Sequence, residues 1–107
     1  EGQAMPITEN LLVASDKPTQ RMVIGQDGPL SYLCVATEGP ENPGSVGLTL
    51  AQTAELMQSL GCQTAYNLDG GSSSTMVLGN EKINAHSSHK VRAICDILYF
   101  ATLVQPE

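Results

Sequence analysis

The 107-residue chain has no tryptophan, one phenylalanine and three tyrosines. Without large aromatic anchors, a core must rest on aliphatic side chains, and 41% of the residues are hydrophobic. Basic residues are also scarce. Five Lys or Arg stand against eleven Asp or Glu, the net charge is −6, and no two basic residues are adjacent. Nucleic-acid binding needs a basic footprint, so that class is excluded. A polybasic membrane patch is excluded for the same reason. The longest apolar runs, such as "ILYFATLV" at 97–104, fall far short of the ~20 residues that cross a bilayer. Cys34, Cys62 and Cys95 form no CxxC pair, and His86 and His89 form an HxxH with no cysteine cluster beside it. That pattern gives no metal site and no cofactor. No signal peptide opens the chain, but Glu1 is not a natural start, so the compartment is not legible from the N-terminus.

What is present reads as one domain or less. A free-standing domain of this size buries about 60–70% of its unfolded surface and has little stability to spare. The three cysteines sit on apolar segments and read as small buried residues, with one disulfide as the alternative. "ENLLVAS" reads as a short strand and "SDKPTQ" as a turn. "RMVIGQ" at 21–26 and "LSYLCVAT" at 30–37 predict a hairpin bending at Asp27-Gly28. "EGPENPGSVG" at 38–47 is a loop, read as a functional segment or a solvated connector. "TLAQTAELMQSLG" at 49–61 predicts a helix over 50–60. Thr49 and Gln52 form a capping box, Gly61 fits the position after the C-cap, and Leu50, Ala54, Met57 and Leu60 share one face. "CQTAYNL" at 62–68 predicts a buried strand. "STMVLG" and "EKIN" predict a hairpin turning at Gly79-Asn80. "AHSSHK" at 85–90 is loop-like, and "VRAICDILYFATLV" at 91–104 is strand-like. The fold class is therefore α/β or α+β: a mixed β-sheet covered by a helix at about 50–60.

Chemistry concentrates in "AYNLDGGSSSTMVLGN" at 65–80. Gly70 and Gly71 permit positive φ and close backbone approach. Successive amides in such a bend form a concave anion site, and Ser72, Ser73, Ser74 and Thr75 add hydroxyl donors. There is no GxxxxGK[ST] and no GxSxG, which excludes a Walker loop and a serine-hydrolase elbow. Asp69, closing the predicted strand, is either a catalytic carboxylate or the cap of an Asx turn through Gly71 or Ser72. Asn67 shares its strand face, either as a site residue or as part of an edge facing water. Arg21 and Arg92 interrupt apolar strands and suit bidentate phosphate contacts or surface ion pairs. His86 and His89 lie in the polar loop, where solvation is the plain reading.

The stretch "NLDGGSSSTM" resembles the signature of the phosphodiester glycosidase family, which includes the lysosomal uncovering enzyme and bacterial secreted or exopolysaccharide-associated proteins. "RMVIGQDG", "GLTLAQTAELMQSLGC" and "VRAICDILYFAT" are similar to three further family segments, in the family's order, so the likeness covers about residues 20–103. It implies hydrolysis of a sugar-1-phosphate diester, releasing a sugar such as N-acetylglucosamine from a phosphoglycan, and an extracellular or cell-surface location. The family's catalytic positions fall on Asp69, Asn67 and Arg21. Its substrate-contacting positions fall on Gly70, Gly71, Ser73, Ser74, Thr75 and Arg92, with Ser72 in place of a third glycine and Ala93 in place of a proline. His86 in the nearby polar loop is added as a substrate contact, and Asp96 is one candidate for a second carboxylate. The family domain is nearly twice this length. Residues 1–107 are therefore expected to be its C-terminal portion, with self-association or a partner chain supplying the rest. The rival expectation is a phosphoglycan-binding module without turnover.

Overall fold

The computed structural model describes residues 3, 17–40, 42, 44–84 and 93–101. It has an α+β fold: a three-stranded sheet with one helix against it, and a separate two-stranded hairpin. Strands β1 (Met22–Gly28) and β2 (Ser31–Ala36) form the predicted antiparallel hairpin. Its bend lies at Pro29-Leu30, two residues beyond the Asp27-Gly28 expected. Proline presets the first corner, and Leu30 accepts φ +57° at the second, 89% exposed where its side chain meets nothing. A register shift between Gln26 and Gly28 leaves Asp27 as the extra residue of a bulge.

Helix α1 (Leu50–Ser59) starts as its sequence dictates. The Thr49 hydroxyl accepts the Gln52 amide, and the Gln52 side chain accepts the Thr49 amide. It stops on a Schellman motif: Gly61, at φ +87°, donates to Gln58, and Cys62 donates to Met57. The buried stripe is centred on Thr53 and Met57, with Leu50 and Ala54 half-buried. Leu60, expected on that face, is 44% exposed at the C-cap.

Strand β3 (Thr64–Asn67) pairs antiparallel with β1, giving the order β2-β1-β3. Both neighbours oppose β1, so β2 and β3 run parallel to each other and α1 is the crossover between them. Register puts Val23 and Gly25 on one face with Leu33 and Val35, and with Ala65 and Asn67. Val23, Met57 and Cys62 form the buried core there, with Leu33 and Val35 packed against it. Burial of Val23 and Met57, each 2% exposed, contributes about 1.5–3 kcal/mol apiece. Gly25 makes this contact possible. A Cβ on it would stand 2.5 Å from Cys62 Sγ and 2.7 Å from Met57 Cε.

Other expectations are corrected. The buried strand at 62–68 is an exposed edge strand, since α1 covers β1 and leaves all four residues of β3 open. Tyr32, Cys34 and Tyr66 are exposed. Of the three cysteines only Cys62 is buried; Cys34 and Cys95 are exposed, and all three are free thiols. Residues 93–101 form no strand and are exposed throughout, because no neighbouring strand lies beside them among the described residues. The second hairpin, β4 (Val77–Leu78) with β5 (Glu81–Lys82), forms as expected, with positive φ at both Gly79 and Asn80. The elements expected at 9–15 and 85–90, and parts of those at 15–20, 38–47 and 91–104, fall outside the described residues.

Candidate functional site

The β1–β3 pairing does not stop at Asn67. The Leu68 amide donates to the Met22 carbonyl at 2.7 Å, and the Gly71 amide donates to the Gln20 carbonyl at 2.9 Å. Between these two tethers the chain bows outward at Asp69. Its side chain is exposed and forms no hydrogen bond among the described residues. The Asx-turn alternative through Gly71 therefore does not hold here, because that amide belongs to Gln20.

The two glycines divide the work expected of both. Gly70 has extended backbone, but a Cβ there would stand 2.6 Å from the Gln20 carbonyl oxygen, so its bare Cα is what lets the turn close on β1. Gly71, at φ +58°, supplies the left-handed step. It opens a short 3-10 turn, Gly71–Ser73, in which the Ser73 amide donates to Gly70 and the Ser74 amide to Gly71. Ser72 does not adopt positive φ, so a serine fits where the resemblance placed a third glycine.

This geometry narrows the anion cradle read from the sequence. The amides of Gly71, Ser73 and Ser74 are turned onto main-chain carbonyls. Those of Gly70, Ser72 and Thr75 make no such bond among the described residues. Ser73 and Ser74 are buried, while Ser72 and Thr75 are half-buried and present their hydroxyls at the surface of the turn. The Ser73 hydroxyl has no partner among the described residues.

Arg21 is 5% exposed beside this turn. Its Nε donates to the Leu48 carbonyl and one terminal nitrogen to the Lys17 carbonyl, each at 2.9 Å, and its amide donates to the Thr37 hydroxyl. Burial lowers its pKa, yet a guanidinium stays charged at any physiological pH. The result is a buried positive charge fixed against the Leu48 and Lys17 carbonyls, on the residue whose Cα lies 3.6 Å from a Cβ placed on Gly70. Its neighbour Gln20 is 2% exposed, and a Cβ at Gly39, Gly47 or Gly70 would collide with Thr19 or Gln20 backbone. Three glycines, two from the 38–47 loop and one from the glycine-serine turn, therefore converge on residues 19–20. Thr19 and Leu48 also exchange backbone hydrogen bonds.

The structure thus brings Arg21, Gly70, Gly71 and the Ser72–Thr75 run together, with Asp69 at their outer edge. Asn67 is exposed at the end of β3, opposite Val23. Asp96 is exposed within 93–101. Arg92 and His86 lie outside the described residues. Among the described residues no three His, Cys, Asp or Glu side chains could hold a metal ion. Sequence reading missed Asn84. It is 7% exposed and bonded at 2.7 Å to both the Ser74 carbonyl and the Met76 amide. A carboxamide at the end of "EKIN" was its only signal.

Comparison with known proteins gives a fold relative and a family. A crystal structure of a hypothetical protein from Synechocystis superposes with a TM-score of 0.65 at 27% identity, over 80% of this chain and 16% of that one. The chain thus spans about a sixth of the solved protein it matches. No curated protein matches. The sequence model for phosphodiester glycosidases matches residues 2–101, nearly the whole chain. The chain belongs to the phosphodiester glycosidase family.

Proposed function

We propose that this segment carries part of the active site of a hydrolase acting on sugar-1-phosphate diesters, releasing a sugar such as N-acetylglucosamine from a phosphoglycan outside the cell or at its surface. Water adds to the anomeric carbon, the bond from that carbon to the phosphate oxygen breaks, and the phosphate leaves as a monoester with the electron pair. The transition state is oxocarbenium-like on the sugar side and gains negative charge on the phosphate side. Asp69 serves the sugar side as nucleophile, general base or cation stabiliser, with Asn67 orienting the sugar or, once substrate is bound, Asp69. The Ser72 and Thr75 hydroxyls, the amides of the turn not held by main chain, and the buried Arg21 charge serve the phosphate. Arg92 and His86 are further candidate substrate contacts, and Asp96 is the candidate second carboxylate. The observation that carries this reading is the exposed Asp69 carboxylate at the lip of a glycine turn clamped onto Gln20, next to Arg21 in the chain.

Asp69→Asn in the full-length protein, assayed for sugar release from a synthetic N-acetylglucosamine-1-phosphate diester, is expected to lower kcat at least 100-fold with the melting temperature unchanged. Turnover within threefold of wild type would remove Asp69 from the mechanism. The second reading, a phosphoglycan-binding module, is favoured by the Asp69 carboxylate, which no side chain among the described residues holds in place for chemistry. It predicts binding of the same diester by calorimetry with no sugar released.

A further inference from the structure

Among the described residues, Asn84 is the one buried polar side chain whose carboxamide grips the backbone of the candidate site. Its Oδ1 accepts the Met76 amide and its Nδ2 donates to the Ser74 carbonyl, each at 2.7 Å. Those two groups flank Thr75, so the carboxamide holds that residue from both sides. A carboxamide offers the same donor and acceptor as a peptide group, and here it does what a neighbouring strand would do where no strand lies. The hairpin reinforces the grip, because the Ile83 amide donates to the Met76 carbonyl at 2.8 Å. Upstream, the Gly71 amide is fixed on Gln20. The turn is therefore anchored before and after its hydroxyl row. Thr75, half-buried and with no hydrogen bond from its hydroxyl among the described residues, sits at the second anchor.

We propose that Asn84 is a positioning residue that aims the Thr75 hydroxyl at the phosphate of the bound ligand. The proposal rests on the phosphate-recognising role given above to the glycine-serine turn. No other side chain of the described residues supplies both hydrogen bonds, and alanine would remove this donor from the Ser74 carbonyl and this acceptor from the half-buried Met76 amide.

The test is a double-mutant cycle in the full-length protein with Asn84→Ala, Thr75→Val and both together, using Asn80→Gly as a hairpin control at a position that already has positive φ. Two readouts are taken: calorimetric affinity for inorganic phosphate, and kcat/KM on the synthetic diester. Each single variant is expected to weaken phosphate binding about tenfold, the double variant no further than the worse single, and the control not at all. Additive losses, or unchanged affinity in Asn84→Ala, would overturn the assignment. Asn84→Asp keeps the fold testable if alanine does not fold. Its carboxylate still accepts from Met76 but opposes the Ser74 carbonyl, and protonation restores the donor. Its affinity relative to wild type should therefore recover as pH falls from 7 to 4, and a flat ratio counts against the proposal. A wild type that binds phosphate but releases no sugar would sink the hydrolase reading while the cycle still decides on Asn84. A wild type that binds no phosphate overturns the Thr75 role.

Discussion

At Gly70 and Gly71 a single methyl group would act in two different ways. At Gly70 it would press on the Gln20 carbonyl, a backbone atom that has nowhere to go. At Gly71 it would meet open space, with only the Thr19 hydroxyl 3.7 Å away, and the cost would be the left-handed backbone alone. Gly70→Ala is therefore expected to lower stability by about 1–3 kcal/mol, and Gly71→Ala by about 1 kcal/mol. Urea melts of the two variants check the order, which would be reversed if the turn were free of β1. Cys62 offers a second test. Burial, and then the negative charge of Asp27, raise its pKa. The folded chain thus keeps a proton that the unfolded chain loses. Stability is complete below the ordinary thiol range near pH ~8.5 and falls as pH rises through and beyond it. Melts from pH 7 to 10 should show this decline in wild type and a flatter one in Cys62→Ala. At pH 8 a thiol reagent should label Cys34 and Cys95 rapidly, and Cys62 only on unfolding.

At the scale of elements, α1 was legible almost to the residue, because its limits are local chemistry. Thr49 and Gln52 exchange cap bonds across three residues, and Gly61 takes a conformation few other residues accept. Thr49→Ala should cost about 1 kcal/mol, read as a drop in the thermal midpoint. The β4–β5 hairpin was equally plain from Gly79-Asn80, whereas the β1–β2 pairing was legible from its strands and its bend fell two residues past the expected Asp27-Gly28. What the sequence did not reveal depends on distant neighbours. "CQTAYNL" is as β-prone as a core strand, but burial depends on what lies above it, and α1 covers β1 instead. "AICDILYF" has strand residues and no partner strand among the described residues. At the site, Asp69 and the glycine turn stood out by composition. The grip of Asn84 did not, because it joins backbone groups eight and ten positions away through one side chain.

At the scale of the whole molecule, the exposed surface is unusually apolar for so acidic a chain. Tyr66 on the edge strand, and Ile97, Leu98, Tyr99 and Phe100 in the last described segment, are all more than half exposed. A bare strand edge beside apolar side chains invites pairing. Sedimentation of residues 1–107 at rising concentration should show species larger than the monomer, and Tyr66→Lys should shift them back. A monomer at every concentration would mean that these surfaces do not meet another chain.

The crowding of three segments onto Thr19–Arg21 has a further consequence. Those positions carry the bond to Gly71, the exchange with Leu48 and the bond to Thr37. A peptide inserted there would part the glycine turn, the approach to the helix and the end of β2 in one stroke. The same insertion beside the exposed Gly44 would leave every one of those fastenings intact, which makes that bend the place where an added tag or loop can be carried without loss of the fold.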